Sequence, residues 1–203
     1  GWARDRGRVS NANGAVPVEV NVSERKFRYI GLGATYSSTD GGGLEGYWGH
    51  RNLFGRAEKL RIEGSVSGLG STSEYDDLTY HGAVLFEKPG VIGPASTFTS
   101  RLSVDQENPD AYRSFSVTGA VGLKYKLTEK QTMSGGVELE YAKITDSLVT
   151  DQETLTASVP LEWVYDGRND ELDPTSGFRL LAHVEPAYEF EQGNPFVIVK
   201  GEA

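Results

Sequence analysis

Ser114-Phe115-Ser116-Val117-Thr118-Gly119-Ala120-Val121-Gly122-Leu123-Lys124-Tyr125-Lys126 divides by parity. Phe115, Val117, Gly119, Val121, Leu123 and Tyr125 fall on one side. Ser114, Ser116, Thr118, Ala120, Gly122, Lys124 and Lys126 fall on the other. Successive side chains of a strand point to opposite faces, so this segment reads as a strand with one greasy and one wet face. Leu60, Ile62, Gly64 and Val66 stand in the same way against Arg61, Glu63, Ser65 and Ser67. So do Leu155, Ala157, Val159, Leu161, Trp163 and Tyr165 against Thr154, Thr156, Ser158, Pro160 and Glu162.

Working outward from these segments, the alternation is almost continuous and helical periodicity almost absent. It predicts ten strands, near 27–37, 43–50, 56–69, 77–88, 97–105, 111–126, 131–145, 153–165, 177–190 and 195–202. Several exceed the usual globular length of ~5–6 residues and match the ~9–11 that cross a bilayer at a tilt. The connections are short and polar, as hairpins require, so every consecutive pair can be antiparallel. Pro160 has no N–H to give a ladder and calls for an edge, a bulge or a locally broken pairing.

With 203 residues, 37% of them hydrophobic, no stretch reaches the ~20 apolar residues of a spanning helix. The mean hydropathy of -0.42 does not separate membrane from water, because a transmembrane barrel alternates and averages to a soluble value. The absence of cysteine rules out disulfides, a thiolate nucleophile and Cys-based zinc sites. A net charge of -9 argues against nucleic acid as a partner. The opening Gly1-Trp2-Ala3-Arg4-Asp5-Arg6 has no charged-then-apolar leader, and an internal fragment is the expectation.

Parity also suggests two ends. Connections after odd strands (39–42, 70–76, 106–110, 146–152 and 191–194) hold acids but no Lys or Arg, whereas those after even strands hold Arg51, Arg56, Lys88, Lys130 and Arg168. Aromatics such as Tyr36, Phe54, Phe98, Tyr141, Trp163 and Tyr188 fall near strand ends, as interfacial girdles would. Gly31, Gly33, Gly119, Gly122, Gly135 and Gly136 recur inside strands, where soluble sheets avoid glycine. Alternation alone does not say which face is inside, so a soluble barrel or sandwich stays open at this point.

The sequence shows no catalytic constellation. His50, His81 and His183 lie on different predicted strands with no motif, and the Gly64 to Gly68 pseudo-elbow carries Val66 where a nucleophile would stand. Asp166 to Asp173 resembles a calcium loop only superficially, with Arg168 at a ligand position. Gly41, Gly42 and Gly43 precede no Gly-Lys-Ser/Thr and read as a turn, and Glu138 and Glu140 read as a solvated wall. No enzyme activity, cofactor or metal is expected.

Several segments together resemble the BamA/TamA superfamily of outer-membrane assembly barrels. Val16-Pro17-Val18-Glu19-Val20-Asn21-Val22, with Glu24-Arg25-Lys26, resembles the last strand of a POTRA domain entering a barrel. Ile30-Gly31-Leu32-Gly33-Ala34-Thr35-Tyr36-Ser37-Ser38 resembles the family's glycine-rich first strand. His50-Arg51-Asn52-Leu53-Phe54-Gly55-Arg56-Ala57 is similar to the turn after its second strand. Tyr165-Asp166-Gly167-Arg168-Asn169-Asp170 and Leu172-Asp173-Pro174-Thr175-Ser176-Gly177 resemble its Asp/Arg-rich turn ending in Pro-Thr-x-Gly. The anchors run in family order over about residues 16–178, and the stretch from Glu24 to Gly55 is most like the TamA branch.

The resemblance implies the end of a POTRA domain at 1–25. It implies the first part of an all-β, antiparallel up-and-down transmembrane barrel at 26–203, holding about ten of sixteen strands. It implies a bacterial outer-membrane location and a role in inserting or translocating other β-proteins, autotransporters for the TamA branch. Implied partners are outer-membrane lipid, client β-proteins and a periplasm-spanning protein. Ile30, Gly31, Leu32, Gly33, Ala34, Thr35, Tyr36 and Ser37 are then expected to form one side of a lateral gate. Asn52, Leu53, Phe54, Gly55, Asp166, Arg168, Asp170, Pro174 and Gly177 form the family-motif turns. The glycines and small polar residues of the first strand would hold a partner weakly, or else accommodate curvature and packing. A BamA-type general assembly factor, a two-partner secretion transporter and a passive pore are the alternatives.

Overall fold

The computed structural model describes residues 26–38, 41–70, 78–108, 112–146 and 151–203. The expected POTRA remnant at 1–25 lies outside them. The described chain forms one antiparallel sheet of eleven strands. These are β1 (Arg28–Ser37), β2 (Gly41–His50), β3 (Lys59–Leu69), β4 (Thr79–Pro89), β5 (Ser96–Glu107) and β6 (Tyr112–Lys126). They continue as β7 (Gln131–Asp146), β8 (Gln152–Ser158), β9 (Leu161–Asp166), β10 (Arg179–Glu189) and β11 (Asn194–Glu202). Strands pair with their chain neighbours except that β8 and β9 lie end to end, each between β7 and β10, so the order is the up-and-down one the hairpin spacing predicts.

The count exceeds ten because Pro160 divides the strand expected at 153–165. β8 and β9 nonetheless behave as one course of the wall. Ser158 pairs with Glu138 and Ala187, and Leu161 with Gly135 and Val184, so the register carries through on both sides. β3 starts later than the alternation suggested, because 51–58 is folded into a turn.

Register fixes the two faces. Ile30, Trp48, Ile62, Val84, Leu102, Gly119, Leu139 and Ala157 form one row across the sheet. The neighbouring row on that face runs Leu60, Phe86, Ser100, Val121, Val137. The opposite face carries Tyr47, Glu63, Ala83, Ser103, Thr118 and Glu140 in one row.

Burial is inverted relative to a water-soluble domain. On the polar face Ser103 is 2% exposed and Ala83 4%, whereas on the apolar face Leu32 is 85% exposed and Leu102 54%. In a curved sheet the concave side crowds its side chains, so the polar face is the inner one. The glycines agree. A Cβ at Gly33, Gly43 or Gly122 would press on neighbouring strands across the polar face, while one at Gly82 or Gly119 on the apolar face would meet nothing. A soluble barrel needs the reverse arrangement. An outward apolar band around a polar interior is the organisation of a transmembrane barrel.

Candidate functional site

β1 lies at the edge of the sheet. Among the described residues it pairs only with β2, from Arg28↔His50 to Ser37↔Gly41. Its apolar side chains Ile30, Leu32 and Tyr36 are the most exposed large hydrophobic residues of the first two strands. On the polar face Gly31 pairs directly with Tyr47, Gly33 with Glu45, Thr35 with Gly43 and Tyr29 with Gly49. Each glycine makes room for its partner. The Tyr47 ring occupies the space over Gly31, the Tyr29 ring that over Gly49, and the Glu45 side chain that over Gly33. Aromatic cover of a cross-strand glycine is a register-fixing device. The glycines therefore serve the packing of β1 on β2, and that junction is not thinly contacted.

Cations hold the two tyrosines in place. The guanidinium of Arg51 lies 4.5 Å from the Tyr29 ring centroid and that of Arg61 4.3 Å from the Tyr47 ring. Arg61 also pairs with Glu63 at 2.6 Å. His81 bonds Asp105 and lies 3.9 Å from Glu63. The inner wall from β2 to β5 thus carries a linked row of polar and aromatic side chains, which gives His81 a structural setting. His50 accepts the Asn52 N–H and stacks on Phe27, and His183 bonds Glu185 at 3.1 Å.

Two turns lie at the end of the sheet where β1 begins. In 51–58 the carboxylate of Glu58 accepts the backbone N–H of Arg56 at 2.9 Å and that of Phe54 at 3.3 Å. Asn52 Oδ1 accepts the Ala57 N–H at 2.8 Å. Leu53 N–H closes the turn on the Glu58 carbonyl at 2.9 Å. Gly55 adopts φ 91°, a left-handed conformation that glycine takes without strain. Glu58 is buried. Burial pushes its carboxyl up, but the backbone donors and Lys88 outweigh this and hold it below the usual range. Nothing in the sequence pattern marked Glu58, because a single acid between a turn and a strand carries no signal.

The second turn joins β9 to β10. Arg168 grips Asp166 with two bonds, Nε to Oδ1 at 2.9 Å and Nη2 to Oδ2 at 2.6 Å. A third donor reaches the Glu171 carbonyl. Asp170 accepts the N–H groups of Leu172 and Asp173, and Asn169 Oδ1 those of Thr175 and Ser176. The carboxylates of Asp166 and Asp170 are thus engaged by Arg168 and by backbone donors. Gly177 combines φ 93° with backbone of Gly167 pressed against the place of a side chain, so only glycine fits. Pro174 lies at the exposed tip. The expected bases Arg51, Arg56, Lys130 and Arg168 do lie in connections at this end, while Lys88 falls within β4.

No curated protein sequence is similar enough to count as a relative. Among solved structures the chain is similar to BamA from Haemophilus ducreyi lacking POTRA domains 1–3, at 14% identity and a TM-score of 0.63. The match covers 83% of this chain and 35% of that one, so the chain spans about a third of the matched protein's length. At that identity the likeness speaks for the fold, an all-β partial barrel. Residues 52–203 match the Omp85 superfamily domain, which is most of the chain, from the Asn52 turn through β11. On that match, with the inverted barrel wall around it, the chain belongs to the Omp85 superfamily.

Proposed function

We propose that this chain forms the first strands of a bacterial outer-membrane barrel that helps other β-proteins enter the membrane, and that the outer edge of β1 receives the incoming strand. The observation that carries this reading is the packing of β1 on β2. Tyr47 over Gly31 and Tyr29 over Gly49 fix its register, in a chain of the Omp85 superfamily. A first strand held in register can act as a template for β-augmentation. Family membership and the outward apolar band support the outer-membrane setting. The role is non-enzymatic and needs no cofactor. Within the superfamily we favour a TamA-type role with autotransporter clients and a periplasm-spanning partner, on the likeness of the segments from Glu24 to Gly55.

Disulfide locking in the intact barrel tests the gate. Ala34 faces the exposed side and suits a cysteine better than Gly33, whose added side chain would meet Glu45. A cysteine there is paired with one in the barrel's closing strand, at Cα separations of about 4.4–6.8 Å. The lock should block client insertion without impairing barrel folding, and reduction should restore it. A locked barrel that inserts clients at its normal rate would remove the gate from the mechanism.

A further inference from the structure

The break between β8 and β9 is more than a missing rung. Its register makes Pro160 the partner of Gly136 and Val159 the partner of Pro186. The observed bonds agree, Gly136 N–H to the Pro160 carbonyl at 3.1 Å and Val159 N–H to the Pro186 carbonyl at 2.9 Å. In an antiparallel ladder each such rung carries a second, reciprocal bond. Here both reciprocal donors would be proline nitrogens, which carry no hydrogen. The carbonyls of Gly136 and Val159 therefore lose their ladder donors on consecutive rungs. They sit halfway along the course from Gln152 to Asp166, between the apolar side chains Val137, Leu161 and Val184 on the outer face.

Hydrocarbon supplies no donor, and a backbone group left unsatisfied there is expensive. The inner face offers a route. Gly122 and Gly136 are paired and leave the backbone uncovered on that side. A cavity of about 370 Å³ opens there, lined by Arg101, Gly136, Pro160, Glu162 and His183 among others. We infer that this cavity is a structural water site, in which water from the barrel interior donates to the Gly136 carbonyl. The wall is then hydrated at mid-height, and the pairing of β7 with the β8–β9 course rests partly on solvent.

Hydrogen exchange and infrared spectroscopy on the intact barrel in phospholipid bilayers read this directly. The Gly136 amide should exchange roughly tenfold faster than those of Val121 and Val137, a directly paired rung of β6 and β7. A ¹³C-labelled Gly136 carbonyl should absorb as a water-bonded group and should keep that band in Arg101→Ala. Pro160→Ser returns a donor to Gly136 and should slow exchange at that rung. Pro160→Ala returns the same donor and serves if the serine variant fails to fold. Equal protection at the three amides, or a free-carbonyl band, would overturn the inference. So would loss of the band in Arg101→Ala, which would make that side chain the donor.

Discussion

Tyr47 covers Gly31, its direct partner across the β1–β2 ladder, and fills the space that a Cβ on that glycine would need. Arg61, stacked on the ring and paired with Glu63, keeps the tyrosine there. The contact turns a glycine, usually a weak point in a strand, into a register lock. Gly31→Val should therefore destabilise the barrel by about 1–3 kcal/mol, as over-packing does. The same change in a Tyr47→Ala background should cost less, because the obstruction is gone. A double-mutant cycle on the denaturant unfolding of the intact barrel measures the coupling. Simple additivity would show that ring and glycine are independent.

The orientation of the faces predicts a lipid contact pattern. Spin labels at Val117, Val121, Leu161 and Leu180 should respond to lipid-soluble quenchers, and labels at Thr118 and Glu162 should not. Val121→Arg places a charge on the outer band near mid-strand and should cost about 2–4 kcal/mol. A tolerated arginine at Val121 together with reversed quenching would mean that the apolar face is enclosed.

The Asp166–Arg168 pair sets an acid limit on the β9–β10 turn. The bidentate bonds from Arg168 hold the Asp166 carboxyl at about 2. Its folded value lies below the unfolded one, near 4. The ionised form therefore supports the turn above about pH 4, and that support is lost as the pH falls toward 2. Arg168→Ala should return Asp166 toward an ordinary carboxylate titration, read by NMR with ¹³C-labelled aspartate. An unchanged Asp166 titration in that variant would show that backbone contacts, not the guanidinium, set it.

Much of the barrel wall was legible because a strand's two faces are written in its own residues. The parity of 114–126 puts Val121 and Thr118 on opposite faces with no knowledge of its neighbours, while which face is outward came from pairing and burial. Pro160 announced a break for an equally local reason, its missing N–H. What crosses from strand to strand was not legible. That Tyr47 stands over Gly31 depends on the register of β1 against β2, which neither strand's own residues declare. The role of Arg168 was half visible: its acids were noted, but which one it grips depends on the folding of the turn. Glu58 was invisible because its partners are backbone groups, which every sequence supplies.

Glu58 gives the last prediction. Its carboxylate collects the N–H groups of Phe54 and Arg56 at the centre of 51–58. Both donors face inward in this turn, and their loss of an acceptor should be felt more than the loss of a surface charge. Glu58→Ala should lower the heat-resistance midpoint of the barrel on gel mobility. Glu58→Gln keeps an acceptor oxygen and should lie between the two. Ala57 supplies a control. Its φ of 61° costs a non-glycine residue about 1–2 kcal/mol, so Ala57→Gly should raise the midpoint while preserving the Asn52 bond. If Glu58→Ala and wild type melt alike while Ala57→Gly melts higher, the turn is governed by backbone conformation and the buried carboxylate adds nothing.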